Sequence, residues 1–195
     1  MPFENPSSRY FGVYPALVTD VQDPDNQGRV RVRLPWLPSG SGYELWARLA
    51  TMMAGNNRGT WFIPDVNDEV LVAFEAGDPA RPIVIGALWN GQDSPPQTMD
   101  ADNNVKAIVS REGIRITLDD TTGTVKLQLE TPGGHKVILD DGALSVTVQD
   151  SNGNSVKLET GGITVTASAK VTVNASTVEV NAGMVTVNAG MSKFS

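Results

Sequence analysis

The 195-residue chain has no cysteine and a single histidine. Disulfides and thiolate metal sites are therefore excluded. A Ser–His–acid or Cys–His constellation has only His135 to draw on, and His135 follows Gly133-Gly134, a setting that suits a turn. Cationic side chains are also short. There are 15 Lys and Arg against 22 Asp and Glu, a net charge of −7, which argues against a nucleic-acid or anionic-membrane surface. No apolar run approaches the ~20 residues that cross a bilayer, and no basic-then-apolar leader opens the chain, so synthesis in the cytoplasm and departure by another route are expected. Long helical periodicity is absent. Aromatic residues are 6% of the chain, so small β-branched side chains must carry most of any core.

What is abundant is the material of strands and turns: valine, threonine, glycine (19) and proline (12). The clearest pattern lies near the C-terminus. The pair Ile163/Val165 recurs as Val171/Val173, Val178/Val180 and Val185/Val187, seven or eight residues apart. Each copy has two β-branched residues on one face and a polar residue between them, the minimal strand. A repeat this short cannot bury its own apolar side and must stack on neighbours. A solenoid within one chain spends about 20 residues or more per coil. Seven or eight fit a three-sided prism in which three chains wind together, with the V-x-V pairs on the shared axis. About ten strands at ~4.8 Å spacing would make a stiff rod of the order of 50 Å.

Upstream, Y-F-G-V-Y-P-A-L-V-T-D-V predicts a first strand and D-P-D-N-Q-G a turn. R-V-R-V-R-L-P-W-L alternates, with Val30, Val32 and Leu34 on one side and Arg29, Arg31 and Arg33 on the other. Y-E-L-W-A-R-L-A-T, D-E-V-L-V-A-F-E and P-I-V-I-G-A-L-W supply further strands, M-A-G-N-N-R-G a loop. Five or six strands with short connections suit a small closed barrel, of which the OB-fold is the common five-stranded form. The proline- and Asx-rich residues 91–104 read as a linker. Apolar alternation then resumes at Ile114/Ile116/Leu118 and continues through Val125/Leu127/Leu129, Val137/Leu139, Leu144/Val146/Val148 and Val156/Leu158.

Three stretches carry a family resemblance: Asp20 to Trp36 (D-x-x-D-P-x-x-x-G-R-V-x-V-R-L-P-W), Met53 to Pro64 (M-A-G-N-N-R-G-x-W-F-I-P) and Asp68 to Gly86 (D-E-V-L-V-A-F-E-x-G-D-P-x-R-P-I-V-I-G). They resemble the OB-fold domain of contractile-tail spike proteins, including phage baseplate assembly protein V and the VgrG proteins of type VI secretion. Thr131 to Asp141 and Asp150 to Glu159 look like the start of the trimeric β-helical needle of those proteins. The resemblance implies an all-β chain: an arm at 1–9, an OB-fold at 10–90, a linker at 91–110 and an intertwined trimeric β-helix at 111–195. It further implies a structural homotrimer that docks on a separate hub protein, moved by the tube and sheath and touching a membrane only mechanically, with no cofactor, metal site, catalytic residue or nucleic acid. The H-x-H motif that binds iron at some protein V tips is missing. The expected axial core is Val171, Val173, Val178, Val180, Val185 and Val187. The pattern stops without a cap, so either a PAAR-type tip protein sits on Met191 to Ser195, with Met191, Lys193 and Phe194 as the candidate receiving residues, or the natural C-terminus lies beyond Ser195. A trimeric tail fibre or adhesin that binds a receptor is the alternative.

Three bland assignments accompany this reading. The pairs Asp119/Asp120 and Asp140/Asp141 lack a calcium-loop spacing and are expected as solvated turn residues. Trp36, Trp46, Trp61 and Trp89 are expected in the barrel core or between barrels rather than as base-stacking platforms. The Arg29/Arg31/Arg33 row is expected to pair with carboxylates.

Overall fold

The computed structural model describes residues 9–36 and 43–190, which form two compact units, one up to Pro96 and one from Gln97. The first holds β1 (Val13–Asp20), β2 (Val30–Leu34), β3 (Tyr43–Leu49), β4 (Ala54–Gly55), β5 (Arg58–Gly59), β6 (Glu69–Phe74) and β7 (Pro82–Ala87). Five of these close a barrel in the order β1-β2-β3-β7-β6, with β3 and β7 parallel and the remaining barrel pairs antiparallel. The alternation of β2 is realised in full. Val30, Val32 and Leu34 are at most 1% exposed, while Arg31 and Arg33 point outward. With Ala16, Val18, Ala47, Val70, Val72, Phe74 and Val84 they form the core. Small residues fill it because a five-stranded barrel leaves little interior.

The two ends of the barrel differ. At the end where β1 begins and β2 and β6 finish, Tyr10, Tyr14, Trp36 and Phe74 cluster. Tyr14 stacks on Trp36 at 4.7 Å, and Trp36 Nε1 donates to the Pro15 carbonyl at 3.2 Å. The other end carries the long connections. There the β1–β2 turn is stapled by Asp23, whose side chain is 5% exposed and accepts from the backbone N–H groups of Asp25, Gln27 and Arg29. The Arg29 guanidinium grips the same carboxylate at 2.6 Å and holds it well below the usual carboxylate range, against the opposing effect of burial. Arg29 also reaches Asp25 and lies 5.8 Å over the Trp46 ring, and Arg31 pairs with Glu44 at 3.0 Å. The pairing expected for these two arginines is thus met within one chain. Gly28 closes this turn at φ +71, a conformation that favours glycine, and the Trp61 ring lies 3.4 Å from where its Cβ would be.

The second unit is one antiparallel meander of seven strands: β8 (Val105–Val109), β9 (Arg115–Asp119), β10 (Lys126–Glu130), β11 (Lys136–Asp140), β12 (Ser145–Gln149), β13 (Ser155–Glu159) and β14 (Gly162–Thr166). β8 falls inside the expected linker. Its sequence V-K-A-I-V pairs with β9, so the sheet starts before residue 111. Ile114, Val125 and Leu144, read as the first apolar residues of three strands, are turn residues. Leu144 has φ 49. On one face the sheet carries cross-strand columns of alternating charge, Arg115–Glu130–Lys136 and Asp119–Lys126–Asp140, with Lys136 and Glu130 at 2.8 Å. A one-residue slip would set Lys126 opposite Leu118 and Leu129 opposite Arg115 and break every charge pair, so these columns fix the register. The turns along one side of the sheet stack closely: a Cβ on Gly142 would meet the Gly123 carbonyl at 2.8 Å.

The meander ends at Thr166. Residues 167–190 form no strand in the single chain. Turn chemistry bears on this. Each hairpin of the meander places one residue at positive φ, a glycine in five of the six (Gly113, Gly123, Gly134, Gly153 and Gly162) and Leu144 in the other. The next two corners, Ala167 to Lys170 and Asn174 to Thr177, contain no glycine.

Two predictions follow from the packing. Leu34→Ala, at a fully enclosed position, destabilises the barrel by roughly 2–5 kcal/mol, measured by denaturant unfolding. In the β12–β13 turn, Asp150 accepts from the Asn154 side chain at 2.7 Å and from the backbone N–H groups of Asn152 and Asn154, which lowers its pKa from 3.8 to about 2. Its contribution is complete above pH ~4 and lost as pH falls towards 2. Asp150→Ala therefore lowers stability at neutral pH and makes the acid limb between those values shallower in acid-unfolding monitored by circular dichroism.

Candidate assembly surface

The charged face of the meander is matched by an apolar opposite face, which forms two columns. One runs Ile108, Ile116, Leu129, Val137, Val148, Val156, Val165. The other runs Leu118, Leu127, Leu139, Val146, Leu158, Ile163. Each successive pair is directly opposite across the sheet. In a layered domain these side chains would be buried. Here no described residue beyond Gln97 is buried. Exposure is 40% for Leu129, 38% for Val146 and Val156 and 71% for Ile163, rising towards the end of the sheet. A continuous apolar surface of this length on one chain marks a contact with another protein surface.

The six axial valines expected from the repeat, Val171, Val173, Val178, Val180, Val185 and Val187, are also open, at 62–67%. They sit outside any strand, and nothing in the single chain brings them together. Met191, Lys193 and Phe194 lie outside the described residues. The sequence pattern alone could have linked Ile108 to this surface, since V-K-A-I-V is a β-rich run, but the neighbouring Asx and proline residues hid it in the linker.

The barrel has its own exposed apolar residues; besides Phe11 and Val13 beside the aromatic cluster, a group of them lies near the opposite end. Met52 is 94% exposed, Trp61 77%, Phe62 71% and Trp89 69%. Trp61 and Trp89 are thus not in the barrel core, unlike Trp36, which packs against it. M-A-G-N-N-R-G, read as a plain loop, contains the small hairpin β4–β5. This loop lines a groove of about 860 Å³ that it shares with Asn26, Gln27 and Gly28 of the β1–β2 turn.

Chemistry is sparse. Among the described residues no group of three His, Cys, Asp or Glu side chains is placed to hold a metal. Asp119 and Asp140 act as turn staples: Asp119 accepts from Thr121 and is pulled below its ordinary pKa by that bond, and Asp140 accepts from the Ala143 N–H. His135 lies in the β10–β11 turn beside Gly133. Among the described residues no helix is long and apolar enough to cross a membrane.

Residues 14–89 match the type VI secretion system and phage-baseplate injector OB domain, and residues 126–191 match the phage baseplate V C-terminal trimerisation domain. The first match spans the barrel; the second begins with β10 and takes in all six axial valines. The chain is 31% identical over 159 residues to the type VI secretion system spike protein VgrG4b of Pseudomonas aeruginosa, which covers 78% of this chain and 17% of that protein. It is 30% identical over 134 residues to VgrG1a of the same species, 63% of this chain and 21% of the relative. Against the actin cross-linking toxin VgrG1 of Vibrio cholerae it is 33% identical over 91 residues, 45% of this chain and 8% of the toxin. The chain therefore spans about a fifth or less of these relatives. With both its barrel and the greater part of its sheet accounted for by these two domains, the chain belongs to the phage baseplate V and VgrG family of injector spike proteins.

Proposed function

We propose that this chain is the structural central spike of a contractile injection system or phage tail baseplate, working as a homotrimer. The observation that carries the reading is the apolar face of the meander, exposed in one chain and continuous from β8 to β14. Three such faces turned inward make a prism with a dry interior and a charged exterior. Each side chain is already partly covered by its sheet neighbours, so completing its burial contributes of the order of 1 kcal/mol. Summed along both columns this is ample to hold three chains together, even after the cost of association.

The V-x-V copies continue the same two columns. Two of their corners lack the glycine that most hairpins of the meander place at positive φ, so their backbone groups pair with the other two chains, as an intertwined β-helix. Every strand edge in that segment is then satisfied, and no hinge interrupts it. The mechanism is mechanical: sheath contraction drives the tube, and a stiff tip concentrates force on a target envelope. The barrels dock on a trimeric hub, and the segment around Met191, Lys193 and Phe194 receives a tip protein. No reactive group enters this reading, which gives the chain no enzymatic role.

Native mass measurement tests it: an assembly of about three times 20.8 kDa is expected, and a monomer would falsify the trimer. Val178→Asp places three carboxylates together in a dry interior, where each ion costs several kcal/mol to desolvate, and shifts the assembly towards monomers. Thr164→Asp, on the outward face, leaves the trimer intact. A Val178→Asp protein that remains as robust a trimer as the Thr164→Asp protein would show that this segment does not line the axis.

A further inference from the structure

A second contact surface lies on the barrel, independent of the columns. Chain order places β1's end, β2's start, β3's end, β6's start and β7's end at one rim. Two different patches occupy separate flanks of that rim. Over β2 and β3 sits the β4–β5 hairpin, with Met52, Met53, Trp61 and Phe62 exposed around it. Its Arg58 lies back across Gly55, where a Cβ would come within 2.7 Å of Nε, and makes no ion pair among the described residues. Over β6 and β7 is a cleft of about 360 Å³, walled by Leu88 and Trp89 and by the carboxylates of Asp68, Glu69 and Asp93.

Those carboxylates are held apart from any cation. Glu69 and Asp93 both accept from the Asn90 side-chain amide, at 2.9 and 3.1 Å, and Asp68 accepts from the Asp65 N–H at 2.8 Å. No Lys or Arg lines the cleft. One flank is thus apolar with an unpaired cation at its tip. The other is apolar with unpaired carboxylates in its wall.

We propose that the two flanks are complementary halves of one barrel-to-barrel interface, with the β4–β5 hairpin of each copy seated in the Asp68/Glu69/Asp93 cleft of the next. This rests on the homotrimer reading. A cyclic assembly with head-to-tail contacts needs each subunit to present two unlike surfaces, and such contacts close after three copies when the rotation is 120°. A self-complementary patch would serve a two-fold dimer instead. Tethering by the trimerisation domain raises the local concentration of barrels to the millimolar range, so a small contact suffices. Arg58 entering a partly enclosed acidic cleft gains more than a pair on open surface would. The exposed Met and Trp side chains supply the apolar contact around it.

The absence of native cysteine makes the test direct. Arg58→Cys and Asp93→Cys are introduced together, native mass is recorded, and a short bismaleimide is added. A covalent trimer on a denaturing gel is expected, while either single variant stays monomeric on that gel because position 58 meets position 93 and never itself. A protein that is trimeric by native mass yet gives no inter-chain product, or in which the single variants cross-link as well as the double, overturns this interface and leaves the homotrimer standing. A monomeric native mass overturns the homotrimer and this interface with it. Trypsin gives a second readout without cysteines. Cleavage after Arg58 is slow in the native trimer and speeds at least ten-fold in Glu69→Arg/Asp93→Arg, whose trimer mass is unchanged. Equal cleavage rates would overturn the proposal.

Discussion

A single antiparallel sheet with one apolar face cannot remove that face from water on its own. Two columns of Leu, Ile and Val run the length of the meander, each backed by only its own backbone and its cross-strand neighbours. A second layer is the usual remedy, and among the described residues no other element of this unit supplies one. The charged face shows that the arrangement is deliberate. Arg115, Glu130 and Lys136, with Asp119, Lys126 and Asp140, form alternating ladders that belong in water. One side of the sheet is built for solvent and the other for a partner, and the partner's surface must be apolar over the same length. A second and third copy of the same face meet that requirement without any further design.

The barrel solves the same problem by the opposite route. Closing five strands on themselves hides Val30, Val32, Val70 and Val72 completely, and the aromatic cluster of Tyr10, Tyr14, Trp36 and Phe74 seals one end. This unit has a finished core of its own. Its exposed Met52, Trp61, Phe62 and Trp89 are therefore not leftovers of an incomplete core. They occur on connections outside the barrel wall, where exposed apolar side chains mark contacts.

How much of this could be read from the chain depended on period. Strict alternation over β2 and β6 placed the barrel core residue by residue, because a half-buried strand leaves no other choice for Val30, Val32, Val70 and Val72. The same signal located the strands of the meander but not their ends: Ile114, Val125 and Leu144 kept the apolar beat inside turns. β8 was hidden because its five residues follow a proline- and Asx-rich stretch and contain Lys106 beside Ile108. For Trp61 and Trp89 the two places expected of them, barrel core or between barrels, could not be told apart in the chain: a tryptophan's bulk argues for burial, and nothing local reveals that Trp61 rests on Gly28 at a loop, outside the core. The pairing of strands within one chain as far as Thr166 was also not legible in the repeat, since β13 and β14 share the spacing of the copies after them.

What separates those two regimes is turn chemistry. Between β13 and β14 the chain has Thr160-Gly161-Gly162, and it reverses on itself. After Thr166 the apolar beat continues, but the next two corners, Ala167 to Lys170 and Asn174 to Thr177, hold no glycine for the positive-φ position that the meander's hairpins use. An ordinary side chain in that conformation costs roughly 1–2 kcal/mol. Reversal is therefore disfavoured at these corners, while the V-x-V pairs still demand a neighbouring strand on either side. A chain that must pair but does not readily turn back is suited to finding its neighbours in other chains, which is the arrangement proposed for this segment. The loss of one glycine per corner is a change of a few atoms, and it falls where the apolar face of the meander is most exposed.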